Sequence, residues 1–173
     1  MARKKQQKPT RHQRLQRTIV GEGPTEKAFL SHLRQFFNHE KIKITIKTAH
    51  GKGPNNIIGD AIGTYNATAK NMQVAALLDL DLDWDKSQVK DCDKCGIKLV
   101  GINPCIEALM IEILGLKLPH PATNESCKSL MQPKLSGSST DKRSYEKLFT
   151  EEVINKALET SEKLREVKSL FQP

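Results

Sequence analysis

The stretch Val74-Ala75-Ala76-Leu77-Leu78-Asp79-Leu80-Asp81-Leu82-Asp83 decides how this chain folds. Five apolar residues in succession, without the alternation of a half-wet strand, predict a β-strand covered on both faces, the signature of a parallel sheet with helices above and below. The run then passes directly into three aspartates. In an extended segment Asp79, Asp81 and Asp83 would project to one side, where like charges repel and where burying them unpaired would cost several kcal/mol each. A cation relieves that cost, and an all-carboxylate donor set without histidine selects Mg²⁺ or Mn²⁺ over Zn²⁺. The same run also reads as an acidic surface turn. An EF-hand is excluded by the missing glycine and terminal glutamate.

Working outward, Thr18-Ile19-Val20 is a short β-branched run that stops at Gly21-Glu22-Gly23-Pro24, where glycines and proline impose a turn. Thr25 can cap the helix that follows, with Phe29, Leu30, Leu33, Phe36 and Phe37 at helical spacing. Ile42, Ile44 and Ile46 alternate with Lys41, Lys43, Thr45 and Lys47, giving a strand with one wet face. After Gly51-Lys52-Gly53-Pro54, a helix from Ile57 through Tyr65 is predicted to run to about Lys70. Beyond the aspartates, Trp84 to Gly96 reads as a polar loop and Ile97 to Ile102 as a fourth strand. Asn103-Pro104 ends it, and Ile106, Leu109, Met110, Ile113 and Leu114 predict a helix closed by Gly115. From Pro119 to about Lys142 the composition predicts a long loop, and residues 144–168 a C-terminal helix with Leu148, Ile154, Leu158 and Leu164 inward. Alternation of this kind predicts one α/β domain, residues 18–173, around a four-stranded, mostly parallel sheet flanked by helices.

The 173 residues suffice for one buried core. The net charge of +8 is concentrated at one end: Arg3, Lys4, Lys5, Lys8, Arg11, Arg14 and Arg17 fall within residues 1–17, which contain no acidic residue. Such an arm is expected to be flexible alone and to seek phosphates, releasing counterions from DNA or RNA; it also serves as a solubilising terminus. No apolar run approaches a membrane span and no secretory leader is visible, so a cytoplasmic protein without membrane contact is expected. Cys92, Cys95, Cys105 and Cys127 are then expected as reduced thiols. Cys92 and Cys95 have half the spacing of a zinc ribbon, without a second pair. His39, His50 and His120 stand singly in polar segments and read as surface residues.

Two further junctions supply carboxylates. Glu22 follows the first strand with Glu26 one helical turn on, and Glu107 lies in the first turn of the helix after strand four. Glu26 and Glu107 also fit a simpler role as acids at helix N-termini. Lys52, between two glycines before a helix, is a candidate phosphate ligand that would steady transition-state charge, or a plain turn lysine.

Val20-Gly21-Glu22-Gly23-Pro24-Thr25-Glu26-Lys27, followed by Asp79-Leu80-Asp81, resembles the Toprim domain of topoisomerases, primases and OLD-type nucleases. Asn103-Pro104-Cys105-Ile106-Glu107 is similar to the signature of the narrower RloB-like family, with Ile106 where an aromatic is usual and Gly21 where an apolar strand residue is common. The resemblance spans roughly residues 15–165 and implies a compact Toprim fold with Glu22, Glu26, Asp79, Asp81, Asp83 and Glu107 around one or two Mg²⁺ or Mn²⁺ ions. It further implies a nuclease hydrolysing DNA or RNA phosphodiesters, of the kind found in bacterial or mobile-element defence. Alternatives are a non-catalytic nucleic-acid-binding or partner-binding module and a nucleotidyl-transfer enzyme. No GxxxxGK[ST] is present, so an ATPase activity would have to come from a partner chain.

Overall fold

The structure, a computed structural model, describes residues 14–49, 53–67 and 72–173. Four strands, β1 (Leu15–Gly21), β2 (Ile42–Thr48), β3 (Met72–Asp79) and β4 (Lys98–Ile102), form one sheet in the order β2-β1-β3-β4. Every pairing is parallel, with Ile19 opposite Ile46 and Ala75, and Asp79 opposite Ile102. The helices are α1 (Pro24–Phe37), α2 (Pro54–Ala67), α3 (Lys86–Cys95), α4 (Ile106–Ile113), α5 (Asn124–Met131), α6 (Glu151–Thr160) and α7 (Glu162–Ser169). None of them is long and apolar enough to cross a membrane.

The pleat divides the core in two. Ile19, Ala75, Leu77, Val100 and Ile102 join the isoleucines of β2 under α1, α4, α6 and α7, while Val20, Val74, Ala76 and Leu78 pack against Ile57, Ile58 and Ala61 of α2 and Cys92 of α3. Successive residues of β3 therefore serve opposite cores, which is why that strand must be apolar throughout. β2, at an edge, buries Ile42, Ile44 and Ile46 and leaves Lys43 and Thr45 in solvent, as its period-two pattern predicts.

Three local expectations are corrected. The polar loop at 84–96 contains α3: Asp85 caps it by accepting from the Ser87 and Gln88 amides at 2.8 and 3.0 Å, and Gly96 ends it at φ +65°. Its charged sequence fully buries only Cys92, with Val89 and Cys95 partly buried at i−3 and i+3, so its apolar stripe is three residues long, and Cys92 lies in a helix rather than a surface loop. The long loop at 119–142 contains α5, capped by Thr123, whose Oγ1 accepts from the Ser126 amide. The single C-terminal helix is two. Tyr145 and Phe149 precede α6 as fully buried aromatics, and Ser161 breaks the segment and caps α7 through the Leu164 amide at 2.9 Å.

The start of the domain also differs from the charge-based boundary. Leu15, Gln16 and Arg17 belong to β1. Arg17 Nη1 donates to the carbonyls of Ser169, Leu170 and Gln172 at 3.2, 2.8 and 2.7 Å, closing the C-terminal end of α7, which carries a partial negative charge. Arg17 is thus a structural residue, while arm residues 1–13 lie outside the described residues.

Candidate functional site

The chain leaves β1 toward β2 on one side through α1, and leaves β3 toward β4 on the other through α3. The carboxyl ends of the adjacent strands β1 and β3 therefore open where the winding reverses, the position at which open α/β sheets bind ligands. Glu22 follows β1 at this point, and Asp79 is the last residue of β3.

The β1–α1 turn is built around Glu26. The helix begins one residue before Thr25, at Pro24, whose fixed φ and missing N–H suit the first helical position. Glu26 Oε2 accepts from the Gly23 amide at 2.8 Å, and Thr25 Oγ1 instead meets Ser139 Oγ at 3.2 Å. A Cβ on Gly21 would stand 3.0 Å from Glu26 Cβ, so the glycine at this strand end is what lets α1 come so close. Glu26 is only 8% exposed, and burial, followed by the charges of Glu107 and Glu22, pushes its carboxyl up despite the backbone bonds it accepts.

Asp79 is 7% exposed. Burial, then the charges of Glu26, Glu22, Glu107 and Asp81, raises its carboxyl from 3.8 to about 8. The alternation expected of Asp79, Asp81 and Asp83 ends at the first of them. The Leu80 amide donates to Ile102 O at 2.8 Å, the chain bends out of the strand, and Asp81, Leu82 and Asp83 are exposed. Gly101 makes this bend possible, since a Cβ there would lie 2.8 Å from both Leu80 Cδ2 and Trp84 Cζ2. Asp81 stays within the field of Asp79 and accepts from Asn124 Nδ2 at 2.7 Å.

Glu107 enters from the first turn of α4 and is 3% exposed; its Oε2 is buried without a hydrogen-bond partner. Burial first, and then the Glu107 charge, pushes the Cys105 thiol up, and burial does the same to Cys127. All four cysteines are free.

The structure therefore brings Glu22, Glu26, Asp79, Asp81 and Glu107 close enough for their charges to act on one another, and leaves Asp83 exposed. Lys52 and His50 lie outside the described residues, and His39 and His120 are not buried. Among the described residues no three His, Cys, Asp or Glu side chains stand in an arrangement that would hold a metal ion as they are. Glu26 in particular is turned back to its own helix end, the simpler role open to it from the sequence.

One residue of the site escapes sequence reading. Lys128 of α5 is desolvated, which pulls its ammonium down, but Glu107, and after it Cys105, Asp79 and Glu26, hold it above its usual value. It lies within the field of the cluster, on the segment expected to be a loop. The signal was the Thr123-Asn124-Glu125-Ser126 capping sequence, with Cys127 and Met131 one helical turn apart. Comparison of the chain with protein-family models, with curated proteins and with solved structures finds no match.

Proposed function

We propose that this chain is a Mg²⁺- or Mn²⁺-dependent nuclease of the Toprim, RloB-like type, hydrolysing a phosphodiester of DNA or RNA. The observation that carries the reading is Glu107 Oε2, a carboxylate oxygen buried without a partner beside a buried Asp79. Leaving such an oxygen unsatisfied costs on the order of 1–3 kcal/mol or more for a charged group, and a divalent cation would remove the cost. The donor set fits a hard ion, being carboxylate oxygen throughout. Asp79, Asp81, Glu22 and Glu107 would hold it, and the ion would supply an activated water and charge neutralisation at the phosphorus.

The chain's own groups divide the remaining work. Glu26 fixes the β1–α1 turn through the Gly23 amide and so positions Glu22. Asn124 restrains Asp81. Lys128 supplies a cation to steady the negative charge that develops on the non-bridging oxygens. The basic arm favours a polyanionic substrate over a small phosphoester.

The test is cleavage of plasmid, single-stranded DNA and RNA with Mg²⁺ or Mn²⁺ by the wild type, Asp79→Asn and Glu107→Gln, with metal binding followed by calorimetry. Metal-dependent cutting that both substitutions abolish supports the reading. Cutting at the wild-type rate by both variants, or metal binding with no cleavage of any nucleic acid, refutes it.

A further inference from the structure

The outer stripe of α1 borders two adjoining cavities. The first, about 480 Å³, opens beside the N-terminal turn of α1 and is lined by Lys27, Ser31, Thr48 and Lys142 among others. The second, about 470 Å³, continues along the helix toward its C-terminal end and the edge strand β2, where Arg14, Arg34 and Lys43 line it. Ser31 and Lys142 belong to both, so the two form one groove. Lys27, Ser31 and Arg34 recur on α1 at i, i+4 and i+7, one face of the helix.

The groove carries an excess of positive charge. Lys27, Arg34, Lys43, Lys142 and Arg14 enter none of the ion pairs found among the described residues. Its acidic member, Asp141, is occupied by Arg143, whose Nη2 lies 2.8 Å from Oδ2. Five cations, with the Thr48 hydroxyl among them and Pro24, Ala28, Ile42 and Ile44 in the walls, match a chain of phosphates; the Ser31 hydroxyl already donates to Lys27 O at 2.6 Å. One end of the groove is Pro24, two residues after Glu22; the other is Arg14, where the basic arm joins the domain.

The geometry points to this α1–β2 groove as the track that holds the phosphodiester backbone of the nucleic acid and leads it from Arg14 to the carboxylate cluster. This rests on the nucleic-acid reading above and adds where the polymer lies. From Pro24 to Asn38 the helix rises about 21 Å, enough for roughly six phosphates of one strand of a stacked duplex. Contacts made chiefly through charge would fix the path of the backbone without reading bases.

Binding is measured by fluorescence anisotropy on the full chain in EDTA, where hydrolysis does not intervene, with labelled single-stranded DNA, duplex DNA and RNA across a salt series. The wild type is compared with Lys27→Ala/Arg34→Ala/Lys43→Ala/Lys142→Ala and with a control of equal charge, Lys86→Ala/Lys90→Ala/Lys117→Ala/Lys156→Ala. The basic arm is present in all three, so differences report the domain surface. The groove variant should bind at least about tenfold more weakly at ~0.1 M salt, with a log–log salt slope shallower by about 3, while the control stays near wild type. Equal losses in both variants, wild-type binding by the groove variant, or no binding of any of the three nucleic acids by the wild type overturns the proposal. Cleavage with Mn²⁺ is run in parallel to separate the two claims. A wild type that binds through the groove but never cuts refutes the nuclease and leaves the track, and a groove variant that binds and cuts normally does the reverse.

Discussion

Replacing Asp79 by asparagine should make the metal-free protein more stable, by an amount that grows with pH. Asp79 is buried at the end of β3 and its carboxyl is raised from 3.8 to about 8 by burial first and by four neighbouring carboxylates second. A raised carboxyl means that between these two values the folded protein holds a proton that the unfolded chain has released. Stability therefore falls as pH rises through that window and levels off above about 8. Each pH step inside the window costs at most about 1.4 kcal/mol, and the whole interval has a ceiling of about 6 kcal/mol; relaxation of the exposed 80–83 segment should bring the observed figure to roughly half. An asparagine side chain has no charge to bury at this position, so the difference between the two proteins should open from near zero at about pH 4 and reach ~2–3 kcal/mol at about pH 8.5. His32, which burial holds below its usual value, adds its own loss of stability below about pH 6.5, but it does so in both proteins and cancels. Urea unfolding in EDTA from about pH 4 to 9 measures the difference. Adding Mn²⁺ at the alkaline end should then stabilise the wild type much more than the variant, because only the wild type has the charge to be neutralised. Parallel stability–pH curves for the two proteins would refute the reasoning, since they would mean that Asp79 ionises freely and has no need of a cation.

Gly101→Ala should cost about 1–3 kcal/mol by overpacking, because its Cβ would fall 2.8 Å from Leu80 Cδ2 and from Trp84 Cζ2; thermal unfolding reads the loss, and an unchanged melting temperature would contradict the described bend. Gly21→Ala should disturb Glu26, 3.0 Å away at Cβ, costing about 1 kcal/mol while lowering metal affinity more than stability, as calorimetry with Mn²⁺ would show. Arg17→Ala should lower stability by about 2 kcal/mol through the loss of three bonds to carbonyls at the end of α7. Arg17→Lys should recover only part of that, since an ammonium cannot reproduce the guanidinium fork. Lys128→Ala should lower kcat by roughly 10²-fold with a smaller effect on KM if the lysine acts mainly on transition-state charge; a loss confined to KM would make it a binding residue only.

How far the sequence could be read follows from how many constraints each residue answers to. β3 was legible because both of its faces are covered, so every position from Val74 to Leu78 had to be apolar. β2 was legible because one face is covered, so its isoleucines alternate with lysines. Helices α3 and α5 were not, because each lies on the surface and buries one or two side chains; what holds them in place is capping by Asp85 and Thr123, a signal carried by single polar residues that also occur in loops. The same distinction runs through the site. Glu22, Asp79 and Glu107 each sit where a strand ends or a helix begins, a place the sequence marks with glycine, proline or the end of an apolar run. Alternation joins Asp81 and Asp83 to Asp79 only where the strand continues, and the strand does not continue, because Gly101 on the neighbouring strand leaves room for Leu80 and Trp84 to fold over it. That departure hinges on a contact between residues twenty-one positions apart, which no local pattern encodes. Lys128 is hidden from the sequence for the same reason: its interaction with Glu107 depends on α4 and α5 packing together, and until they do it is one lysine among many. Burial and charge at the site thus come from tertiary contacts that convert an ordinary acidic sequence into a cluster held at the opening between β1 and β3. If the proposed metal site is right, substitutions at Gly101 and Gly21, which carry no chemistry, should for this reason alter metal affinity as well.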